Sequence, residues 1–496
     1  MIPVSIKRSE VYYSLSDDDR KKFFNINSKK FISHIDTLYY NVYLDEENEL
    51  IEEFINLLKI TKDELDKYDN SIWLSYSKEL LYTRKRFSIY DHCISKQGYY
   101  DIFIASKLPN EKTPRVVIQL RSIGLWCLGE YQLLDESYRA LEFLLKDFDI
   151  RILRTMENRI DYCYHTNSIS SPYKFFCDDN LLNHLKTSFK IYSKVGAIEE
   201  RSITIDYLSL GQRKSNNVFF RSYNKVREVI EENYKHFFLE YWFNTGLISL
   251  YDFQVYSYAY IYKRYDSIYR GMLDWYINYG SDKEKKDLFV KVLNDPNVNL
   301  DTIRKLARAT LPEPTLIMNI EFQTMRKFYY YGDKLIDTLP IVTELDIPQL
   351  LRVYQIMDNR KIFLDYLTSS TVAFVKDKFA KEIEYLDFWK RLRSCKFDKH
   401  VILDYEREYP KNINVKLVVS RIKSSLATLS LYKDNYDTDL TDDMSLLIGI
   451  LNDNDIKIME DGTYKIEDDE YIRIKEKRKK ALKSILGMSS SRPSTN

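Results

Sequence analysis

The chain predicts an α+β fold, with a mainly antiparallel sheet and packed helices in the N-terminal half and a mainly α-helical C-terminal half. Three observations carry this. Short alternating runs rich in Val, Ile, Tyr and Phe cluster before residue 247. Helical spacing of apolar residues dominates after it. The strands and helices do not alternate in the regular βαβ order of a doubly wound sheet.

Taken in order, residues 1–30 are polar and basic and read as a helical lead-in. Residues 32–44 read as a strand. The segment 46–68 reads as a helix, with Leu50, Phe54, Leu57 and Leu58 on one face. Residues 85–105 suggest paired strands, 115–120 a strand, and 134–148 an amphipathic helix with Leu141, Leu144 and Leu145 together. In the strand Arg159–His165, Ile160, Tyr162 and Tyr164 point one way, while Arg159, Asp161, Cys163 and His165 point the other. A strand at 203–208 leads into a turn at Gly211. In the strand 218–223, Val218 and Phe220 share one face and Phe219, Arg221 and Tyr223 the other. A helix is expected from about residue 225 to 238.

Beyond 247 the aromatic-rich stretch 252–279 reads as helical, and 281–287 as an exposed turn or helix start. Residues 299–308, followed by Leu311, Pro312 and Pro314, read as one of two packed helices with a Pro break, a weak match to a helix-turn-helix. The stretch 342–430 reads as mostly helical. An acidic linker from about 435, a small unit at 443–474, a basic helix at 472–486 and a disordered tail complete the chain. The expected domains are therefore 31–247, 248–434 and 435–496.

Composition bounds the function. The 496 residues are 44% hydrophobic and 30% charged, a globular balance with a net charge of only +1. Affinity for an anionic partner must therefore come from local patches. The 42 tyrosines fit AT-rich coding, so a tyrosine chosen at random carries little meaning. The five cysteines are scattered, without a C-x-x-C pair, which suits a reducing cytoplasm. The N-terminus has no signal-peptide core, and no run of about 18 apolar residues suggests a membrane span. No histidine spacing of the zinc-hydrolase kind, no phosphate-cradling Gly-rich loop and no serine-hydrolase elbow occurs. Asp161 and His165 on one strand face, with a third acid, would suit an oxygen-rich Mg²⁺ or Mn²⁺ site.

The stretch 208–228, LSLGQRKSNNVFFRSYNKVRE, gathers Arg213, Lys214, Arg221, Lys225 and Arg227 around a polar loop and Tyr223. Cations interleaved with aromatics suit phosphates and unpaired bases. An unaided phenol, with a pKa near 10, is a poor nucleophile; nearby cations or a metal would favour its phenolate. On spacing alone, a structural tyrosine on a strand is the commoner case.

GQRKSNNVFFRSYNKVRE resembles the motif of the Rep_trans family, replication initiators of small rolling-circle plasmids and related conjugative-element relaxases. The matching positions are Gly211, Arg213, Ser215, Asn216, Phe219, Arg221, Tyr223, Asn224, Lys225 and Glu228. NRIDYCYHTN resembles the family's upstream strand, at Arg159, Ile160 and Asp161. The resemblance covers about residues 115–245. It implies that Tyr223 attacks a DNA phosphodiester, joins the 5′ phosphate and leaves a 3′-OH primer. It also implies that Asp161 is a metal ligand and that Glu240 is the acid of a further strand. His165 stands where the family often has a second Asp, and Phe238 where it has an Arg. Arg159, Arg213, Lys214, Ser215, Asn216, Arg221 and Lys225 are the expected DNA contacts there, joined by Lys477, Arg478 and Lys480 on the basic helix. The expected partners are double- and single-stranded origin DNA and a host helicase and polymerase, with no membrane. The C-terminal helices would supply origin specificity or dimer contacts. Origin binding and melting without nicking, for theta replication, is the alternative.

Overall fold

The structure is a computed structural model that describes residues 24, 29–68, 71–73, 79–169, 184–189, 194–198, 205–211, 217–232, 235–330, 336–341, 346–395, 456–458 and 464–466. The chain divides into two compact units: Met1–Ile60 with Leu74–Arg407, and Thr61–Trp73 with Glu408–Asn496.

Its first elements are β1 (Phe31–Leu44), α1 (Ile51–Tyr68), β2 (Ser71–Trp73), β3 (Leu80–Thr83), β4 (His92–Lys96), β5 (Tyr100–Ile104) and β6 (Val116–Leu120). Helices α2 (Ser122–Leu128) and α3 (Glu130–Leu145) precede β7 (Ile152–Thr166), β8 (Leu185–Thr187), β9 (Lys194–Ile198), β10 (Ile205–Leu210) and β11 (Val218–Asn224). Six helices follow: α4 (Lys225–Glu231), α5 (Phe237–Asn244), α6 (Leu250–Tyr262), α7 (Ile268–Tyr279), α8 (Lys283–Asn294) and α9 (Leu300–Thr310). Then come β12 (Met318–Met325), α10 (Arg326–Tyr330), α11 (Leu351–Asp358), α12 (Arg360–Tyr366), β13 (Val372–Phe374) and α13 (Asp387–Ser394). In the smaller unit, β14 (Ile456–Ile458) pairs antiparallel with β15 (Tyr464–Ile466).

The larger unit is built on one sheet in the order β3-β4-β5-β6-β1-β7-β12-β11-β10-β9. Its registered pairs are antiparallel, so the α+β reading holds. Strand β7 is buried without a break from Ile160 to Thr166, so both of its faces are covered. On one face the Tyr162 hydroxyl meets that of Tyr329, which packs on Phe363. Phe322 and Phe220 pack in a tilted pair across neighbouring strands on this side, and Phe322 also meets Trp389 of α13. Burying each such ring contributes roughly 1.5–3 kcal/mol. The opposite face lies under α2, α4 and α5 and holds the polar groups described below.

Several expectations need correction. The expected helix over 225–238 is two helices, because Glu232 is extended and ends α4. Helix α9 is not followed by a second helix: Leu311 is extended and the Pro-containing stretch leads into β12. Strand β12, well beyond residue 247, lies in the middle of the sheet between β7 and β11. The acidic linker and the basic 472–486 helix fall wholly outside the described residues. Among those residues, no helix is long and apolar enough to cross a membrane.

Candidate functional site

The Tyr-Asn-Lys run owes its geometry to a change of element. Tyr223 is the penultimate residue of β11. Asn224 leaves the strand and caps α4, its side-chain oxygen accepting from the Arg227 N–H at 3.0 Å. Lys225 opens the first helical turn, and three residues on, Glu228 reaches its ammonium at 3.2 Å. One i to i+3 step thus folds the lysine back over the tyrosine. The Gly211 turn before β11 has φ +88°, and a Cβ there would lie 2.9 Å from the Phe189 ring, so glycine is required.

Antiparallel register then sets three rows on one face. Tyr223 faces Asn319, which faces His165; Arg221 faces Glu321, which faces Cys163; Phe219 faces Gln323, which faces Asp161. The phenol oxygen of Tyr223 accepts from Asn319 Nδ2 at 2.9 Å and from Lys225 Nζ at 3.3 Å. The hydroxyl donates to Glu321 Oε2 at 3.4 Å. Glu321 is 0% exposed, and its other oxygen pairs with Arg221 Nη2 at 2.7 Å. The Arg221 guanidinium lies 4.9 Å from the Tyr223 ring centroid.

Electrostatics follow from burial. Desolvation pushes the Tyr223 phenol well above its ordinary value, against the pull of Lys225. Burial also raises Glu321 to about 7; Arg221 opposes the rise, and the charges of Asp161 and Asp36 add to it. Burial alone would lower Lys225, but Glu228 and Tyr223 hold it well above the usual lysine range. Glu228 is itself held low because Lys225 and Lys235 outweigh its desolvation. Asp36 of β1, bonded to Ser122 Oγ at 2.9 Å, is also lowered: burial raises it, but Lys225, Lys235 and the Ser122 hydrogen bond together prevail.

The expected metal set does not assemble. Asp161 is on the predicted face, but Arg159 Nε binds it at 2.8 Å and the same guanidinium's Nη2 takes its other oxygen. His165 is enclosed by aromatic rings: it stacks on Trp126 at 4.9 Å, and Trp242 Nε1 donates to its Nδ1 at 3.0 Å. That donation places the ring proton on Nε2, so neither nitrogen offers a lone pair to a cation. Burial holds the ring neutral by lowering its pKa well below the ordinary value. Glu240 sits in helix α5, not a strand; it is 40% exposed and meets His236 Nδ1 at 3.1 Å. Among the described residues, no group of three or more His, Cys, Asp or Glu is placed to hold a metal ion. Asp161, His165 and Glu240 therefore do not fit the Mg²⁺ or Mn²⁺ site expected of them.

Arg159 and Arg221 are each tied to a buried carboxylate, and Lys225 is 1% exposed, so all three reach inward at this site. Arg213, Lys214, Ser215, Asn216, Lys477, Arg478 and Lys480 lie outside the described residues. Glu321, Asn319 and Asp36 were missed by sequence reasoning. The signal for the first two is the alternation in MNIEFQTM, where Asn319, Glu321 and Gln323 interleave with Ile320 and Phe322.

No family model matches the chain, and no curated protein matches it. Among solved structures it is similar to the rolling circle replication initiator protein from Geobacillus stearothermophilus, with a TM-score of 0.33 and 11% sequence identity. That match covers 75% of this chain and 100% of that one.

Proposed function

We propose that the chain is a DNA replication initiator that binds an origin and breaks one strand by joining Tyr223 to a 5′ phosphate. The observation that carries the reading is the convergence of two distant motif stretches. Tyr223 and Asp161, in stretches that resemble one family's motifs, lie on one face of one sheet, with Glu321 on the strand between them. One cation, Lys225, and the Asn319 amide already donate to the tyrosine oxygen, as a developing phenolate requires. Origin DNA is the substrate in this reading, with a host helicase and polymerase acting on the exposed 3′-OH.

The test uses a supercoiled plasmid carrying the gene and its flanking DNA, incubated with the protein and Mg²⁺, Mn²⁺ or EDTA, then digested with protease. Open circles bearing a covalent peptide are expected, and Tyr223→Phe should abolish them. Equal yields from Tyr223→Phe, or no adduct from the wild type in any arm, would sink the nicking role.

A second reading, origin binding and melting without nicking, is favoured by the enclosure of Tyr223 and by the unassembled metal set. It predicts a footprint on the same DNA with no adduct in any arm.

A further inference from the structure

The oxygen of Tyr223 meets Asn319 and Glu321 of β12 and Lys225 of α4, with Glu228 of α4 also at hand. We propose that these form an anion cradle, in which Glu321 takes the phenol proton while Lys225 and Asn319 hold the resulting phenolate for attack. The inference rests on the reading of Tyr223 as a nucleophile and names the groups that activate it.

Lys225 is the unusual member. Its side chain is fully buried, with the ammonium 4.8 Å from the Phe238 ring centroid. A buried ammonium needs a compensating anion. The one beside it, Glu228, is shared with Lys235. Asp36 adds a second negative charge there, and one of the Lys225 hydrogen bonds is aimed at the phenol oxygen. Asn319 Nδ2 donates both to that oxygen and to Glu321 Oε2, at 3.0 Å, which keeps acid and phenol in register. Two carboxylates face the phenol. Glu228 is a weak base because two lysines hold it low, whereas Glu321 is raised to about 7 and is the better acceptor. The surroundings include Arg221 on β11, Asp161 and neutral His165 on β7, Asp36 on β1 and Lys235 ahead of α5. Moving the proton from Tyr223 to Glu321 leaves the net charge of this cluster unchanged, so no charge enters or leaves the low-dielectric interior.

The step balances. The phenol O–H bond breaks and its proton passes to the Glu321 carboxylate. The phenolate oxygen forms a bond to phosphorus as the bond from phosphorus to the 3′ oxygen breaks. The departing 3′ oxygen takes a proton from water, and Glu321 later returns its own to solvent. One phosphodiester replaces another, and nothing is oxidised or reduced.

The test has two readouts. In the first, single-turnover cleavage of the supercoiled plasmid is measured across pH for wild type, Lys225→Met, Lys225→Arg and Asn319→Ala. Lys225→Met should cleave about 10²-fold more slowly or worse, with DNA binding retained, and Lys225→Arg should recover part of the loss. The second readout needs no DNA. A polyfluorinated tyrosine of lowered pKa is placed at position 223, and its ionisation is followed by ¹⁹F NMR. Lys225→Met should move that titration upward by about one pH unit or more, and Asn319→Ala should move it the same way. An unchanged titration in both variants overturns the cradle, as does cleavage by Lys225→Met at nearly the wild-type rate while Tyr223→Phe is inactive. If Lys225→Met does not fold, Asn319→Ala and Lys225→Arg decide by the same readings. If wild type forms no adduct, the nicking reading fails, and the fluorine titration still shows separately whether Lys225 and Asn319 stabilise the phenolate.

Discussion

Replacing Glu321 by Gln should change how stability depends on pH. In the unfolded chain the Glu321 carboxyl titrates near 4.5, and in the fold it is raised to about 7. The native state therefore holds one more proton than the unfolded state between these values. Stability from this residue is fully present below pH 4.5, declines as pH rises and is gone above about 7. At about 1.4 kcal/mol per pH unit, the loss across the window is about 3 kcal/mol. Gln at 321 cannot ionise, yet its amide oxygen can still accept from Asn319. The exchange also weakens the pairing with Arg221, which adds a nearly constant offset. Urea unfolding of both proteins at about pH 5, 6, 7 and 8 should show the variant gaining on wild type by about 2.5 kcal/mol across the series, the rest of the window lying below pH 5. Titration of groups far from Glu321 cancels in the difference. A wild-type-minus-variant difference that stays flat over this range would refute the raised carboxyl and with it the proton acceptor assigned to Tyr223.

Trp242→Phe removes the N–H that satisfies His165 Nδ1 while keeping most of the ring packing. It should cost about 1–3 kcal/mol, read by chemical denaturation, and let the imidazole change tautomer, read by ¹⁵N NMR. Asn224→Ala removes the cap that starts α4, costing about 1 kcal/mol by the same denaturation series. It should also slow cleavage, because the capped turn aims Lys225 at Tyr223.

The sheet strands before residue 247 were legible because alternation is local: each strand displays its own two faces in its own residues. The shared side of Arg159, Asp161 and His165, and that of Arg221 and Tyr223, could be read this way. What alternation does not contain is what lies above a face. His165 looked like a ligand because nothing in its strand announces Trp126 and Trp242, which arrive from other elements and enclose it. Glu240 was misplaced because the family resemblance, not the local pattern, put it on a strand; His236 and Glu240, four apart, share one helical face. Glu321 escaped for another reason: its eight-residue strand has the correct alternation but stands among long helices, which set the reading of the whole region. The motif stretch could show that Tyr223 was singular, but not that its acid would come from a strand close to a hundred residues later.

That late strand has a consequence for how the protein is made. A chain emerging from the ribosome presents β7 and β11 long before β12, yet the two cannot be joined until residues 318–325 are available to lie between them. Until then Tyr223 has neither Asn319 nor Glu321 at its oxygen. Each of the two flanking strands also carries an open row of backbone donors and acceptors on the side that β12 will fill. Pairings at such sequence separation form slowly. A nascent or truncated chain ending before residue 318 would hold the family-like stretches complete and still lack the assembled centre. The order of synthesis therefore withholds the site until most of the larger unit has been translated.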